Sequence, residues 1–410
     1  MTKLPDLADQ AKEGTLQPHT TIGAEPLTPS GEPFRELRPL GSFLGSALER
    51  AERRRTRKER PIPLPWESVA AQLGGGLWPG MHVLVSGTGV GKTTLALQAA
   101  LHAAEHGTPV AYVGLELDDL QVALRLVGER AGVPWSKLYL GQGSDQEHAA
   151  AIHAMADLEK LPLYLETGKP GGWPASDLSK LVASMRAKHP EQVPDENGQL
   201  RDVPGSVPML VVLDFLQIIG GEEGERRDLR ERIGAAAYEA RDVARRFNCA
   251  VLLISSAARD KYGVLAGDIT GAGLGSERRE NGTRRRFIAS PDTLIGLGKE
   301  SGEIEYAADS VNVAVRMPAK GPDDSRLVVL ATPKLRAGSP SWTVLRFSGT
   351  GFAEAGDEEA DRLAGGLAGG LADAARKAAQ NNRGNHRRNT ASRPTGTRTD
   401  DDGHEYDDDF

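Results

Sequence analysis

A single cysteine, Cys249, in 410 residues excludes a disulfide within the chain and any zinc site built on cysteine ligands, and it fits a reducing compartment. His102 and His106 stand one helical turn apart with no further ligand suggested nearby, so an exposed helix face explains them better than a metal site. No apolar run reaches the ~18 residues of a membrane span, and the N-terminus lacks an apolar signal region. A soluble, cytoplasmic protein with no membrane partner is expected. Aromatic residues make up 5% and hydrophobic residues 39%, low for a wholly globular chain. The deficit sits in residues 1–60 and 354–410, which hold few apolar runs and many Gly, Pro, Ser, Asp and Arg. The formal charge of −7 is equally local, because residues 400–410 carry six Asp and one Glu. A neutral core can therefore still carry basic loops.

What is present is organised around Ser86-Gly87-Thr88-Gly89-Val90-Gly91-Lys92-Thr93-Thr94. The apolar run His82 to Val85 precedes it and an alanine- and leucine-rich helical pattern, Leu95 to His106, follows. Strand, glycine loop and helix in that order are the context of a P-loop. There the glycines let backbone N–H groups close around phosphate oxygens. Lys92 supplies a point charge to the β- and γ-phosphates, and Thr93 offers a hydroxyl to Mg²⁺. The helix N-terminus adds its partial positive charge. ATP and Mg²⁺ are the expected cofactors. One departure stands out: the first position of G-x-x-x-x-G-K-[ST] is Ser86 rather than glycine.

Residues 1–41 mix Pro, Gly, Thr and charge without periodicity and read as disordered. Residues 42–61 read as a basic linker helix, with Phe43, Leu44 and Leu48 close together before a run of Arg, Glu and Lys. A solvated charged helix, a nucleic-acid contact and an arm packed on a neighbouring subunit all fit that pattern. Pro61, Pro63 and Pro65 then stop it. Residues 62–352 form the expected core. In it, strands at Val110 to Leu115, Leu161 to Leu165, Met209 to Leu213 and Ala250 to Ser255 alternate with helices at Asp118 to Ala131, Ala175 to Lys188 and Arg226 to Phe247. His189 to Val207 reads as a surface loop. Three more strands, Ser310 to Met317, Leu327 to Thr332 and Trp342 to Phe347, would extend the sheet. This alternation argues for an α/β fold with a mostly parallel twisted sheet flanked by helices. Residues 353–410 read as a disordered tail with an acidic tip.

Two carboxylates end strands. Val211-Val212-Leu213-Asp214 places Asp214 where it can hold the water shell of Mg²⁺ beside a P-loop. Val113-Gly114-Leu115-Glu116 makes Glu116 a candidate to polarise the water that attacks the γ-phosphate; an acid placed by the dipole of the following helix is the alternative.

These residues, with Gly-Gly-Leu-Trp-Pro-Gly at 75–80, Leu-Glu-Leu-Asp-Asp at 115–119, Leu-Asp-Phe-Leu-Gln at 213–217, the stretch Lys299 to Asp309 and Lys334-Leu335-Arg336-Ala337-Gly338, resemble the successive motifs of the RecA-like ATPase domain of DnaB-type replicative helicases. The resemblance covers about residues 62–350, in the family's order. It implies a RecA-like P-loop NTPase fold and a homo-hexameric ring with ATP between neighbours. Lys92, Thr93, Glu116 and Asp214 would then act in one subunit, while Arg336, helped by Lys334, reaches the γ-phosphate bound by the next. It also implies single-stranded DNA in the pore, held by loops at 220–230 and 261–302. Within the second, Ser276 to Arg286 holds five Arg against two Glu, including Arg278, Arg279, Arg284, Arg285 and Arg286. That suits phosphate contact in a mobile loop, as Lys299, Glu300 and Gly302 would in the motif that follows; a solvated charged insertion is the alternative.

The expected activity is a DNA-stimulated ATP hydrolase, a 5'-3' replicative helicase of a phage or mobile element. A related ring ATPase that loads, remodels or recombines DNA without processive unwinding is the alternative. Two departures favour keeping it: Ser255-Ser256 stands where the family has Ser-Gln, and the family's N-terminal collar has no counterpart before the linker helix. The tail ending Glu405-Tyr406-Asp407-Asp408-Asp409-Phe410 is similar to the acidic tip of bacterial single-stranded-DNA-binding proteins, which implies a replication partner docked through Phe410. An acidic tail that aids solubility or competes with DNA is the alternative.

Overall fold

The computed structural model describes residues 39–167, 173–174, 176–194, 199–203, 207–214, 219–220, 229–257, 269, 272–278, 284–296, 302–320 and 325–363. The expectations for residues 1–38 and 364–410, including the tip at Phe410, fall outside the described residues, as do those for Arg279, Lys299 and Glu300. The start of the expected disordered tail is instead folded: a strand runs through Glu354, residues 357–363 are helical, and Ala355 and Ala360 are buried in the core. The chain splits into two compact units, Met1–Arg60 and Pro61–Phe410.

The described part of the first unit is helix α1, Gly41–Arg55. Arg53, Arg54 and Arg55 occupy its last turn, where cations favour the negative end of the helix dipole. Arg50 and Arg54 both reach Glu59, at 2.9 and 3.0 Å. Burial pushes the Glu59 carboxyl up, but the hydrogen bonds from the two guanidinium groups outweigh it and leave the group below the usual carboxylate range. Leu40, Phe43, Leu44 and Leu48 are exposed along this unit.

In the second unit, α2 (Glu67–Gln72) leads to β1 (Gly80–Ser86), α3 (Lys92–Glu105), β2 (Val110–Gly114) and α4 (Asp119–Ala131). Asp118 caps α4 by accepting from the Gln121 amide, and Gly132 closes it in the left-handed region at φ 68°. The stretch up to the next strand, to which no element was assigned from the sequence, folds as α5 (Trp135–Tyr139) and α6 (Asp145–Leu158). A capping box between Ser144 and Glu147 starts α6. Next come β3 (Leu163–Thr167), β4 (Trp173–Pro174) and α7 (Asp177–Lys188). The expected surface loop at 189–207 holds instead an antiparallel pair, β5 (Glu191–Pro194) with β6 (Leu200–Val203). The Asn197-Gly198 dipeptide between them is a hairpin signal in the sequence. Then follow β7 (Leu210–Asp214), β8 (Ile219–Gly220), α8 (Leu229–Arg246) and β9 (Ala250–Ser256). The chain continues through β10 (Leu274–Arg278), β11 (Arg284–Ile288), α9 (Gly302–Ala307), β12 (Ser310–Lys320), β13 (Arg326–Leu335), β14 (Ser341–Phe347) and β15 (Phe352–Glu354).

The main sheet has nine strands in the order β15-β14-β13-β12-β1-β9-β7-β2-β3. From β12 to β3 all neighbours are parallel; β13, β14 and β15 add antiparallel strands at the other edge. The central strands are mostly apolar because both faces are covered. Val83, Val85, Val211 and Leu213 pack on one face with Leu178, Ile233 and Ala237. Leu84, Leu210 and Val212 pack on the other with Leu95, Ala96, Leu101 and Val122. A buried polar chain crosses β1, β12 and β13: His82 Nδ1 meets Ser310 Oγ at 2.8 Å, Asn312 Nδ2 donates to Ser310 Oγ, and Thr332 Oγ1 donates to Asn312 Oδ1 at 2.9 Å. Since a register slip would orphan every member, the chain specifies how these strands align. Cys249 is buried and its thiol is pushed up to about 12, chiefly by burial. No helix among the described residues is long and apolar enough to cross a membrane.

Candidate nucleotide-binding site

Strands β1 and β9 end level with each other, Ser86 opposite Ser256, and the loop from Gly87 to Gly91 leaves that edge of the sheet before α3 begins at Lys92. The departure at the first loop position has a simple explanation. Ser86 is the last residue of β1, buried, and its backbone is not in the left-handed region, so glycine is not required there. Gly89 and Gly91 do lie in that region, at φ 75° and 114°. At Gly91 a Cβ would also stand 2.7 Å from the Phe352 ring. Both objections to a side chain hold at once, so Gly91→Ala should abolish detectable nucleotide binding in an equilibrium titration with a fluorescent ATP analogue, while Gly107→Ala, at an open helix end, should leave it intact.

Lys92, Thr93 and Thr94 form the first turn of α3, and Val90 turns inward under the loop. Lys92 Nζ donates to Gly87 O at 3.3 Å, which folds the ammonium back over the loop. Thr88 and Gly89 are exposed at its tip.

Asp214 ends β7 opposite Gly114 at the end of β2, and Leu115 N donates to Asp214 O at 2.6 Å. This backbone bond sets Glu116, exposed, one residue beyond the same edge. Asp118, two residues further on, caps α4. Asp214 is 2% exposed. Burial pushes its carboxyl up, hydrogen bonds from Tyr112 and Thr93 and the charge of Lys92 oppose this, and Glu116 adds to it. Its Oδ1 is buried with no hydrogen-bond partner among the described residues. An orphaned carboxylate oxygen beside a lysine and a threonine hydroxyl is the donor set a Mg²⁺ ion and its waters would satisfy, so Thr93 and Asp214 fit the expected ion.

Two residues that carried no signal in the sequence complete this edge. Arg326, at the start of β13, donates from Nη1 to Gly89 O at 3.1 Å, with its guanidinium 4.2 Å over the Phe347 ring. Phe352, in β15, abuts Gly91 and is held by Gln98: its amide donates to Gln98 Oε1 at 2.7 Å. Both come to the loop only because β13, β14 and β15 fold back beside β12.

Lys334 and Arg336 lie at the other end of the sheet. Leu335 pairs with Ser310, which pairs with His82, four residues before Ser86 and so roughly 13 Å along the strand. Lys334 Nζ donates to the Glu305 and Tyr306 carbonyls, and Arg336 Nη2 to Tyr306 O at 3.2 Å. Arg336 Nε faces Asp309 Oδ1 at 3.5 Å, and the side chain is 42% exposed. Burial, then the neighbouring Arg336, hold the Lys334 ammonium below its ordinary range.

Residues 274–278 and 284–288, at either side of the arginine-rich stretch, pair as antiparallel strands, β10 with β11. Gly275 leaves room for the Phe287 ring across the pair, and Glu277 faces Arg285 at 3.2 Å. Arg286 points inward: its guanidinium is 8% exposed, pairs with Asp357, donates to Thr343 Oγ1 at 3.2 Å and lies 5.4 Å over Trp342. Its charge is engaged within the subunit, whereas Arg285 is half exposed. Arg278 and Arg284 close the described hairpin, opposite each other in the register, and Gly302 begins α9.

Fold and site together define a core of the RecA-like P-loop fold. Within it, residues 69–263 match the family model for the DnaB-like helicase C terminal domain. It is 25% identical over 285 residues to the replicative DNA helicase DnaB of Leifsonia xyli subsp. xyli, covering 68% of this chain and 52% of that protein. Against the replicative DNA helicase DnaB of Synechocystis sp., it is 24% identical over 229 residues, covering 55% of this chain and 24% of the relative. The chain thus spans about half the length of these curated relatives, or less. Among solved structures, one of an ATPase domain superposes with a TM-score of 0.59 at 15% identity, over 78% of this chain and all of that one. A DnaB-like replicative helicase studied for its interactions with primase gives 0.58 at 14%, over 78% and 68%. At these identities the superpositions establish the fold.

Proposed function

We propose that the protein is an ATP-driven ring motor on single-stranded DNA, a DnaB-like 5'-3' replicative helicase of a phage or mobile element, assembled as a homo-hexamer. The observation that carries this reading is the polarity of the sheet. Lys92, Thr93, Asp214 and Glu116 gather at one edge, while Arg336 is exposed at the opposite end, out of reach of its own P-loop. An arginine so placed serves a phosphate only if a second copy presents one. The exposed Phe43, Leu44 and Leu48 of α1 supply an apolar face for such a copy.

In this reading the loop amides and Lys92 hold the β- and γ-phosphates, and Thr93 and Asp214 hold Mg²⁺ with its waters. Bound there, the ion would neutralise charge on the phosphate oxygens. Glu116 orients the attacking water and accepts its proton. Arg336 from the neighbouring subunit stabilises charge on the γ-phosphoryl group, and Lys334 holds that strand end in place. Hydrolysis is then coupled to assembly. Arg285 and the hairpin it belongs to offer phosphate contacts to the strand.

Ser256 supports the second reading, a ring ATPase that remodels or loads DNA without processive unwinding. It ends β9 level with Ser86, and its short hydroxyl replaces the longer amide of the resemblance at the point where the γ-phosphate would be sensed. ATP hydrolysis measured with and without single-stranded DNA, beside strand separation on a forked duplex, tests both. Stimulation with separation is the expected result for the helicase; stimulation without separation selects the remodeller, and no stimulation defeats the DNA motor altogether.

A further inference from the structure

The geometry points to Tyr112 as a positioning residue for Asp214: its hydroxyl pins one carboxylate oxygen so that the other is the one left for the ion. This rests on the nucleotide and Mg²⁺ reading above. Tyr112 is 1% exposed in the middle of β2, between Leu165 of β3 and Val212 of β7. Its ring packs on the α3 side of the sheet with Val122 and Leu126. The hydroxyl donates to Asp214 Oδ2 at 2.6 Å, and Oδ1 is the oxygen without a partner among the described residues.

Gly114 makes the contact possible. It lies two residues further along β2, on the same face as Tyr112, and is the register partner of Asp214. A Cβ there would stand 3.2 Å from Tyr112 Cε1. With hydrogen in its place the ring lies along the strand, and its hydroxyl reaches the next step of the sheet. A phenol suits the task chemically. It donates one proton to a carboxylate without cancelling its charge, so Asp214 stays anionic toward a cation while losing rotational freedom. A buried tyrosine kept only for packing would leave a hydroxyl in need of an acceptor, which phenylalanine avoids. Here the acceptor is the metal-side carboxylate. Second partners that orient a ligating carboxylate typically change metal affinity by about 10–100-fold.

The test uses the full chain and titrates Mn²⁺, read by electron paramagnetic resonance, in the presence of saturating ADP, for wild type, Tyr112→Phe and Asp214→Asn. Tyr112→Phe should weaken Mn²⁺ about tenfold, with ADP affinity in EDTA unchanged. Asp214→Asn should weaken it at least as much. If Asp214→Asn weakens Mn²⁺ and Tyr112→Phe does not, Tyr112 is a packing residue and the inference is overturned. If Asp214→Asn itself leaves Mn²⁺ unchanged, the metal reading of Asp214 falls first and this one with it. Should Tyr112→Phe lower the melting midpoint, unchanged ADP affinity in EDTA shows that the loop survives, and the Mn²⁺ comparison still decides.

Discussion

Arg336→Ala should lower ATP turnover about 10³-fold, the lower end of what an arginine supplied in trans contributes to phosphoryl transfer. ATP binding should change little, because the side chain lies at the far end of its own sheet from the loop that holds the nucleotide. A mixing experiment separates this from damage to the fold. Subunits carrying Arg336→Ala have an intact P-loop, and subunits carrying Lys92→Ala have an intact arginine. If the arginine acts across an interface, co-assembled mixtures of the two inactive variants should regain a fraction of wild-type turnover, since some interfaces then pair a good loop with a good arginine. No recovery in mixtures shown to co-assemble would mean that Arg336 acts within its subunit or only holds Tyr306 and Asp309. Arg336→Lys should recover little, because an ammonium cannot reproduce the planar fork.

The second large effect is expected at Glu116. Glu116→Gln should reduce turnover by about 10²–10⁴-fold, the usual contribution of a positioned general base, and should leave ATP bound and unhydrolysed. The substitution is isosteric, and the site is exposed beyond the end of β2, so stability should not change. Single-turnover hydrolysis with radiolabelled ATP measures the chemical step directly. A wild-type rate in that assay removes Glu116 as the base and leaves it as a neighbouring charge that, after burial, helps push the Asp214 carboxyl up. Glu116 and Arg336 make separable demands: the glutamate variant should resist rescue by mixing wherever it occupies the catalytic interface, whereas the arginine variant should donate good loops.

Much of this was legible along the chain because the chemistry is local. A P-loop is a strand, a glycine turn and the start of a helix, all within sixteen residues counted from Gly80 to Leu95, and the backbone conformation that needs Gly91 is a property of that residue and its neighbours. Asp214 and Glu116 were legible for a related reason: a carboxylate closing an apolar strand must emerge at the strand's end, and in a parallel sheet those ends share one edge. The alternation of strands and helices likewise foretold a mostly parallel sheet, although short strands such as β5 and β6 were read as loop because a few residues carry too little periodicity.

Other features depend on which distant segments meet. Arg326 and Phe352 look like ordinary strand residues until the antiparallel return of β13, β14 and β15 sets them against the P-loop. Arg286 read as one of five equivalent charges in a basic loop; pairing of β11 with β10 and packing on β14 turned it toward Trp342 and Asp357 and left Arg285 outward. Tyr112 read as one more apolar strand position, and only the register of β2 with β7 brought its hydroxyl to Asp214. The sequence by itself determined the phosphate loop, the acids at the strand ends and the alternating fold, since each follows from backbone rules acting over a few neighbours. Tertiary structure decided which charges are exposed, which are consumed internally and which end of the sheet the arginine occupies, because those follow from strand order and register, and these depend on contacts between segments from about thirty to more than two hundred positions apart.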